Sequence, residues 1–451
     1  MTIFDMDAYV LTCPTRLLGI ATVMLLFSSG YPAMSETTYP ELQSIAVTLV
    51  DGSNTEKNLG TFQSHNQKVV ANANGIFMTY LRDNNETDDN DPDVWRLVYS
   101  KDGGDTFSTI YEGRGNTRSP VIETDEENNI YLAHPEYGSP AGQKQDFLFY
   151  RFSASSNYRR PSIQTFGDVA CAAKYAMAYD ASRKQFYIAT QYGMLVTVDM
   201  DGNLSSRRQV LQFRGPKAAT QYPHLFLDQR GVLHHAWTTA GHTGYHYPSI
   251  HYLRSPDGGN TWQKMNGTPV EAPAVPDWTG PSDVICLRDE FDVLTWLGNF
   301  WIKDGKAHFA YFAREPLNRQ HYMFFDLATG RRERDTWSQS QDHKWRGEGI
   351  VLSGFSTLFA SDPSAPKSPL YAVQSSGGSH LACLVSQDHG RSWNDHAWTR
   401  EDYGLIYAVG GFRKITAGAH IIGSFTARAD PEEPWKVYFF RIPAAKNSGK
   451  P

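Results

Sequence analysis

The stretch Ser100-Lys101-Asp102-Gly103-Gly104-Asp105-Thr106-Phe107 returns as Ser255-Pro256-Asp257-Gly258-Gly259-Asn260-Thr261-Trp262 and again as Ser386-Gln387-Asp388-His389-Gly390-Arg391-Ser392-Trp393. Each copy follows a strand-like run, at 96–99, 251–253 and 381–385. Asp and Ser oxygens satisfy backbone donors in a tight turn, Gly accepts positive φ, and the closing aromatic re-enters the core. The motif therefore closes a β-hairpin, and it is read as structural rather than catalytic.

The pattern S-x-D-x-G-x-[TS]-[FW] resembles the Asp-box (BNR) repeat of sialidase-like β-propellers. Its aspartates are 155 and 131 residues apart. Repeats of ~50–65 residues place three and two blades in those gaps. Parsing the rest in the same way gives seven units, the first running from His65 through Asn74-Gly75 to Phe107 and the others opening on runs at 119–122, 176–179, 225–227, 300–302, 357–359 and 412–416. The early strand 45–50 is expected to complete the last unit, since an open ring would leave sheet edges unpaired. The expectation is an all-β, single-domain, seven-bladed β-propeller over residues 36–451, with no composition break marking a second domain.

Composition agrees. Of 451 residues, 40% are apolar and 20% charged, which excludes a disordered chain. Eleven Trp, 24 Tyr and 24 Phe, with 37 Gly and 24 Pro, favour short strands and turns over long helices. A net charge of −6 argues against a nucleic-acid partner but leaves room for an anionic ligand on a local cluster of cations.

Residues 17–27 (LLGIATVMLLF) are apolar, follow Arg16, and precede the small residues Ala33-Met34-Ser35. Residues 1–35 read as a secretory signal, the run being too short for a comfortable membrane span. The mature chain is thus expected to be a secreted or periplasmic monomer, with no membrane association after processing. Cys171, Cys286 and Cys383 then remain and allow at most one disulfide.

In such an architecture ligands sit at one mouth of the central channel, lined by residues that enter an inner strand or leave a second strand. Those positions hold His65, Asn66, Arg118, His134, Tyr175, Tyr192, Tyr222, His224, His242 and His246. Each also has a bland reading. His224 can be a satisfied core histidine, the three tyrosines core aromatics, and His234 and His235 packing residues within a strand. As a set, His and Tyr beside an Arg suit β-elimination on a uronic acid. Arg118 or Lys174 would neutralise the carboxylate. A neutral His or ionised Tyr would take the C5 proton, and a Tyr hydroxyl or imidazolium would protonate the C4 oxygen. Here His134 with Tyr192 or Tyr175 would move protons; His65, Asn66, Tyr222, His224, His242 and His246 would bind sugar. That chemistry needs no cofactor.

A sialidase needs three convergent arginines, a Tyr nucleophile and a Glu partner. Arg82, Arg118, Arg314 and Arg428 are available, but carboxylates near the mouth are few. Arg441-Ile442-Pro443 stands at the C-terminus, not before the first Asp box.

The stretch from Gln221-Tyr222-Pro223 to the box at Ser255 resembles BNR-containing polysaccharide lyases of the ulvan lyase type, which are seven-bladed. The resemblance covers most of residues 60–445 in architecture and only this stretch in motif. It implies an acidic, sulfated uronate–rhamnose polymer as substrate, with His, Tyr and an Arg neutraliser at work. His134 matches a family histidine ending a second strand, and Tyr222 with His242 a Tyr–His pair. A second family histidine would fall near residues 116–118, where this chain has none. The resemblance also implies a structural metal in some members. His242, His246 and Cys286 are weak zinc candidates, and six carboxylates within 83–93 are calcium candidates, better read as a solvated loop. A glycoside hydrolase on the same fold and a non-catalytic glycan binder remain alternatives.

Overall fold

The computed structural model describes residues 42–55, 60–62, 66–82, 94–114, 118–135, 145–169, 174–213, 219–240, 247, 249–276, 282–286, 295–313, 319–339, 357–362, 365, 367–376 and 379–445. Residues 1–35, read above as a secretory signal, lie outside them. Seven sheets follow one another along the chain, each with an antiparallel meander at its centre. The inner strands of blades 1 to 7 are Val69–Asn72, Val121–Thr124, Tyr175–Asp180, Ala219–Leu227, Thr295–Lys303, Thr357–Ala360 and Leu405–Gly411. The architecture is the expected seven-bladed β-propeller. The one helical segment among the described residues is the 3-10 turn Ala154–Ser156. No described helix is long and apolar enough to cross a membrane.

The expected closure is present. Strand Ala46–Thr55 pairs antiparallel with Trp435–Pro443, so the two ends of the chain share blade 7. A further segment, Gln43–Ser44, adds in parallel to the outer strand of blade 6. The core is a ring of apolar clusters lying between blades. Tyr131, Phe149, Phe186 and Val198 join blades 2 and 3, and Ala178, Tyr187, Trp237 and Leu253 join blades 3 and 4. Each sheet thus buries both faces against its neighbours, which the twist of stacked sheets permits.

The Asp boxes connect the third strand to the outer strand and make the same bonds each time. Ser100, Ser255 and Ser386 hydroxyls each accept the backbone N–H of the second glycine position at 2.7–2.8 Å. Asp102, Asp257 and Asp388 accept from the Thr or Ser four residues on. The glycines have a second duty that the motif alone does not show. A Cβ on Gly104 would collide with the Phe439 ring of blade 7, on Gly259 with Leu195 of blade 3, and on Gly390 with Tyr322 of blade 5. Each box therefore clasps the preceding blade. Arg441 extends the first clasp, donating to the Gly103 carbonyl at 2.6 Å and to Asp105 at 3.2 Å.

A second repeat closes the inner hairpins of blades 2 to 4. Asp125, Asp180 and Asp228 each cap the turn after an inner strand through backbone N–H groups. Each also meets a polar ring on the returning strand: Tyr131 at 2.8 Å, Tyr187 at 3.4 Å and His234 at 3.5 Å. Cys383 is buried, and burial pushes its thiol pKa up.

Two predictions follow from this packing. Gly305 has positive φ but open space around an added Cβ, so Gly305→Ala should cost ~1 kcal/mol of backbone strain alone. Gly104→Ala should cost clearly more, ~2–4 kcal/mol, because the Phe439 ring must also move; urea unfolding of the two variants measures the difference. The second concerns acid. Burial lowers the imidazoles of His134 and His235 to about 4 and of His224 and His308 to about 3, and also depresses His234. The unfolded chain takes up these protons below ~6.5 and the folded chain does not, so stability is complete above that pH and is lost as pH falls toward 3–4. Burial holds Glu123 up at about 7, which opposes this as a single group between about 4.5 and 7. Thermal unfolding should therefore show Tm falling steadily below pH 6.5; a flat profile down to pH 4 would contradict it.

Candidate functional site

One mouth of the channel is organised around Phe62, which follows the closing strand and precedes the first inner strand. Its ring is buried, with 4% exposed. The Arg118 guanidinium, from the segment entering blade 2, lies 5.0 Å from the ring centroid. Lys174 Nζ, from the segment entering blade 3, lies 5.1 Å from it and 4.8 Å from the Tyr222 centroid. Tyr222 meets Phe62 edge-on at 6.3 Å, and Tyr407 of blade 7 stacks on it at 5.8 Å. Five blades thus send side chains to one aromatic floor carrying two buried cations. Each cation–π contact contributes ~1–2 kcal/mol in a desolvated setting.

Tyr222 occupies a bulge in the inner strand of blade 4, where the register with the next strand shifts between Gln221 and His224. Its φ is 48°, a left-handed conformation that costs a bulky residue ~1–3 kcal/mol. The bulge turns the ring onto Phe62 and, edge-on at 5.8 Å, against Tyr247. Burial, with Tyr247 and Tyr407 close by, raises the phenol pKa well above its usual value, so Tyr222 is a hydrogen-bond donor at neutral pH. His224 is fully buried with Nδ1 2.8 Å from the Tyr222 carbonyl, and burial and the Arg413 charge keep it neutral.

Beside this floor is a polar knot that joins Asn66 and Tyr175 to Lys68, a residue absent from the sequence-based set. Lys68 is fully buried and donates to the carbonyls of Ser119 and Pro120 at 2.6 and 3.4 Å. The Tyr175 hydroxyl donates to the same Ser119 carbonyl at 3.3 Å, and Asn66 Nδ2 donates to the Tyr175 carbonyl at 2.5 Å. These bonds fix the backbone next to Arg118. Burial and the Arg118 charge bring Lys68 down to about 7. His134 ends the second strand of blade 2, stacked on Tyr150 at 5.4 Å and edge-on to Trp95 at 5.5 Å. Its Nδ1 lies 2.7 Å from the Pro135 carbonyl, which assigns the proton there and leaves Nε2 as the lone-pair nitrogen. That Nε2 is buried and has no hydrogen-bond partner among the described residues. Burial, reinforced by the Lys68 charge, holds the imidazole near 4 and so neutral.

The structure places Asn66, Arg118, Lys174 and Tyr175 at or beside strand entries on this side, and Tyr222 and His224 at the bulge within Ala219–Leu227. Tyr192 is half-buried in the turn after Gln185–Thr190, at the same end of blade 3 because Tyr175 pairs with Thr190. Its carbonyl accepts from Gln209 at 2.7 Å. His65, His242 and His246 lie outside the described residues, as do 83–93. Cys286 is described only as backbone, in the strand Asp283–Cys286. Among the described residues no group of three His, Cys, Asp or Glu is arranged to hold a metal. Phe62, Lys68 and Tyr407 were missed because they fall in no motif; a lysine two residues after Asn66 reads as a solvated face.

Comparisons with known proteins agree with this fold. A family model described as a BNR repeat-containing family member matches residues 167–285. A polysaccharide lyase structure, an ulvan lyase bound to -[GlcA(1-4)Rha3S]-, is similar over 87% of this chain and 95% of its own, with TM-score 0.60 and 12% identity. The α-L-arabinofuranosidase of Fusarium graminearum aligns with TM-score 0.46 and 10% identity over 89% and 98% of the two chains. The Trypanosoma rangeli sialidase aligns with TM-score 0.44 and 11% identity over 88% and 59%. A search of curated proteins finds no match.

The coupling between Lys68 and His134 is testable. In Lys68→Met the buried cation is gone, so the His134 imidazole should titrate higher than in the parent, by up to ~1 pH unit. NMR titration of its ring protons measures this; an unchanged or lower value would show that the Lys68 charge does not reach His134.

Proposed function

We propose that this protein is an exported polysaccharide lyase that cleaves an acidic, uronate-containing polymer by β-elimination. The observation that carries the reading is the convergence of Arg118 and Lys174 on the Phe62 face, two buried cations at one mouth. A uronate carboxylate set there would be neutralised, which acidifies the C5 proton. Arg offers the bidentate geometry a carboxylate prefers, and Lys adds a second positive charge.

His134, held neutral, takes the C5 proton on Nε2. The C5–H electron pair forms the C4=C5 double bond, the C4–O bond breaks, and the departing oxygen receives a proton from a tyrosine hydroxyl, that of Tyr175 or Tyr192. Tyr222, Asn66 and His224 line the sugar site, with His65, His242 and His246 as further contacts. The route uses side chains alone and requires no structural zinc or calcium. A sulfated uronate–rhamnose polymer is the proposed substrate, supported by the fold shared with the ulvan lyase.

The test is ultraviolet absorbance from an unsaturated uronyl end during digestion of a panel of uronate polysaccharides. Absorbance should rise with the parent protein. It should fall by ~100-fold or more in rate for Arg118→Ala and His134→Ala, with Tyr175→Phe and Tyr192→Phe identifying the proton donor. New reducing ends without absorbance would mean a hydrolase; binding without cleavage would mean a glycan-binding protein.

A further inference from the structure

The opposite mouth of the channel holds a cavity of about 660 Å³. Every blade contributes to its wall, among them Gln67 of blade 1, Glu123 of blade 2, Phe226 of blade 4, Trp301 of blade 5 and Arg413 of blade 7. Its lining includes none of Phe62, Arg118, Lys174, Tyr222 and Tyr407. Along the inner strand of blade 3, Tyr175 stands at the first end and Asp180, which lines the cavity, at the other, ~16 Å away. Arg413 spans the channel: its guanidinium crosses from blade 7 to donate to the Leu225 carbonyl of blade 4 at 2.5 Å, and its backbone N–H donates to Gln67 Oε1 at 3.2 Å.

The wall exposes more apolar than polar surface, and its charged groups nearly balance. Asp228 is paired with Arg230 at 2.9 Å, Asp304 with Lys303 at 3.2 Å, and Asp180 with Arg183 at 2.8 Å. Glu123 faces Lys414, Arg413 and Gln67, and its enclosure holds it near 7 despite those cations. An ion entering this cavity would gain little net Coulomb attraction. A molecule bearing many hydroxyls would use both the donors and the acceptors. It would also find an apolar surface in Phe226, which is half-buried and packed edge-on against Trp301 at 4.7 Å. The volume falls in the range of small-molecule pockets, ~300–1,000 Å³, and fits a mono- or disaccharide.

We propose that this lower mouth is a second carbohydrate site, one that takes a neutral saccharide of one or two units and is independent of the site at the Phe62 mouth. The inference goes beyond the lyase reading and stands or falls separately from it.

The experiment is calorimetric or saturation-transfer NMR binding of glucose, rhamnose, cellobiose and glucuronate to the full chain. At least one neutral sugar should bind with Kd of ~1–10 mM, little affected by salt. Gln229→Trp places a bulky ring at an exposed wall position and should weaken that binding ~10-fold or more. Lys414→Ala should weaken it less, and both variants should keep the parent's activity on polysaccharide. Arg118→Ala should leave it intact. The proposal is overturned if no neutral sugar binds up to ~50 mM, if Gln229→Trp has no effect, if Arg118→Ala abolishes binding, or if glucuronate binds more tightly in a salt-dependent way.

Discussion

The pairing of Ala46–Thr55 with Trp435–Pro443 is the constraint on which the remaining structure depends. Sharing one sheet between the first and last strands locks the ring shut and leaves only the outer edge of each blade unpaired. Each interblade cluster needs a neighbour on both sides, so a gap would leave two apolar sheet faces in water. Closure also sets the site. Phe62 comes after the closing strand and before the first inner strand, and its ring reaches residues from blades 2, 3, 4 and 7 because the propeller is shut.

Much of this fold is legible in the sequence because its punctuation is chemical. Ser, Asp and Gly at fixed spacing specify one hairpin turn, and their separation counts blades. The clasping role of Gly104, Gly259 and Gly390 is not legible, since it depends on Phe439, Leu195 and Tyr322 from other blades. The Asp125, Asp180 and Asp228 turns form a second repeat that escapes a pattern search because the partner ring is Tyr twice and His once. Arg441, of the Arg-Ile-Pro triplet, clamps blade 7 to the first Asp box.

The candidate site shows the same division. Arg118, Lys174 and Tyr222 were found by position, because strand entries face the channel mouth. Their meeting point was not, for Phe62 is one of 24 phenylalanines and carries no pattern. Lys68 shows how tertiary burial changes a residue's meaning: a lysine before a strand ordinarily faces solvent, but this one holds two carbonyls next to Arg118 and adds its field to His134. The burial that keeps His134 neutral also makes it costly in acid, so the candidate base and the pH limit of the fold share one cause.

The central claim is that Arg118 and Lys174, held on Phe62, read a sugar carboxylate. The most direct measurement compares binding of a uronate oligosaccharide with that of its methyl ester at several salt concentrations. The account predicts salt-dependent binding of the acid, weaker by ~10-fold or more for the ester, with the difference abolished in an Arg118→Ala, Lys174→Ala double variant. Equal affinity for acid and ester in the parent protein would contradict it.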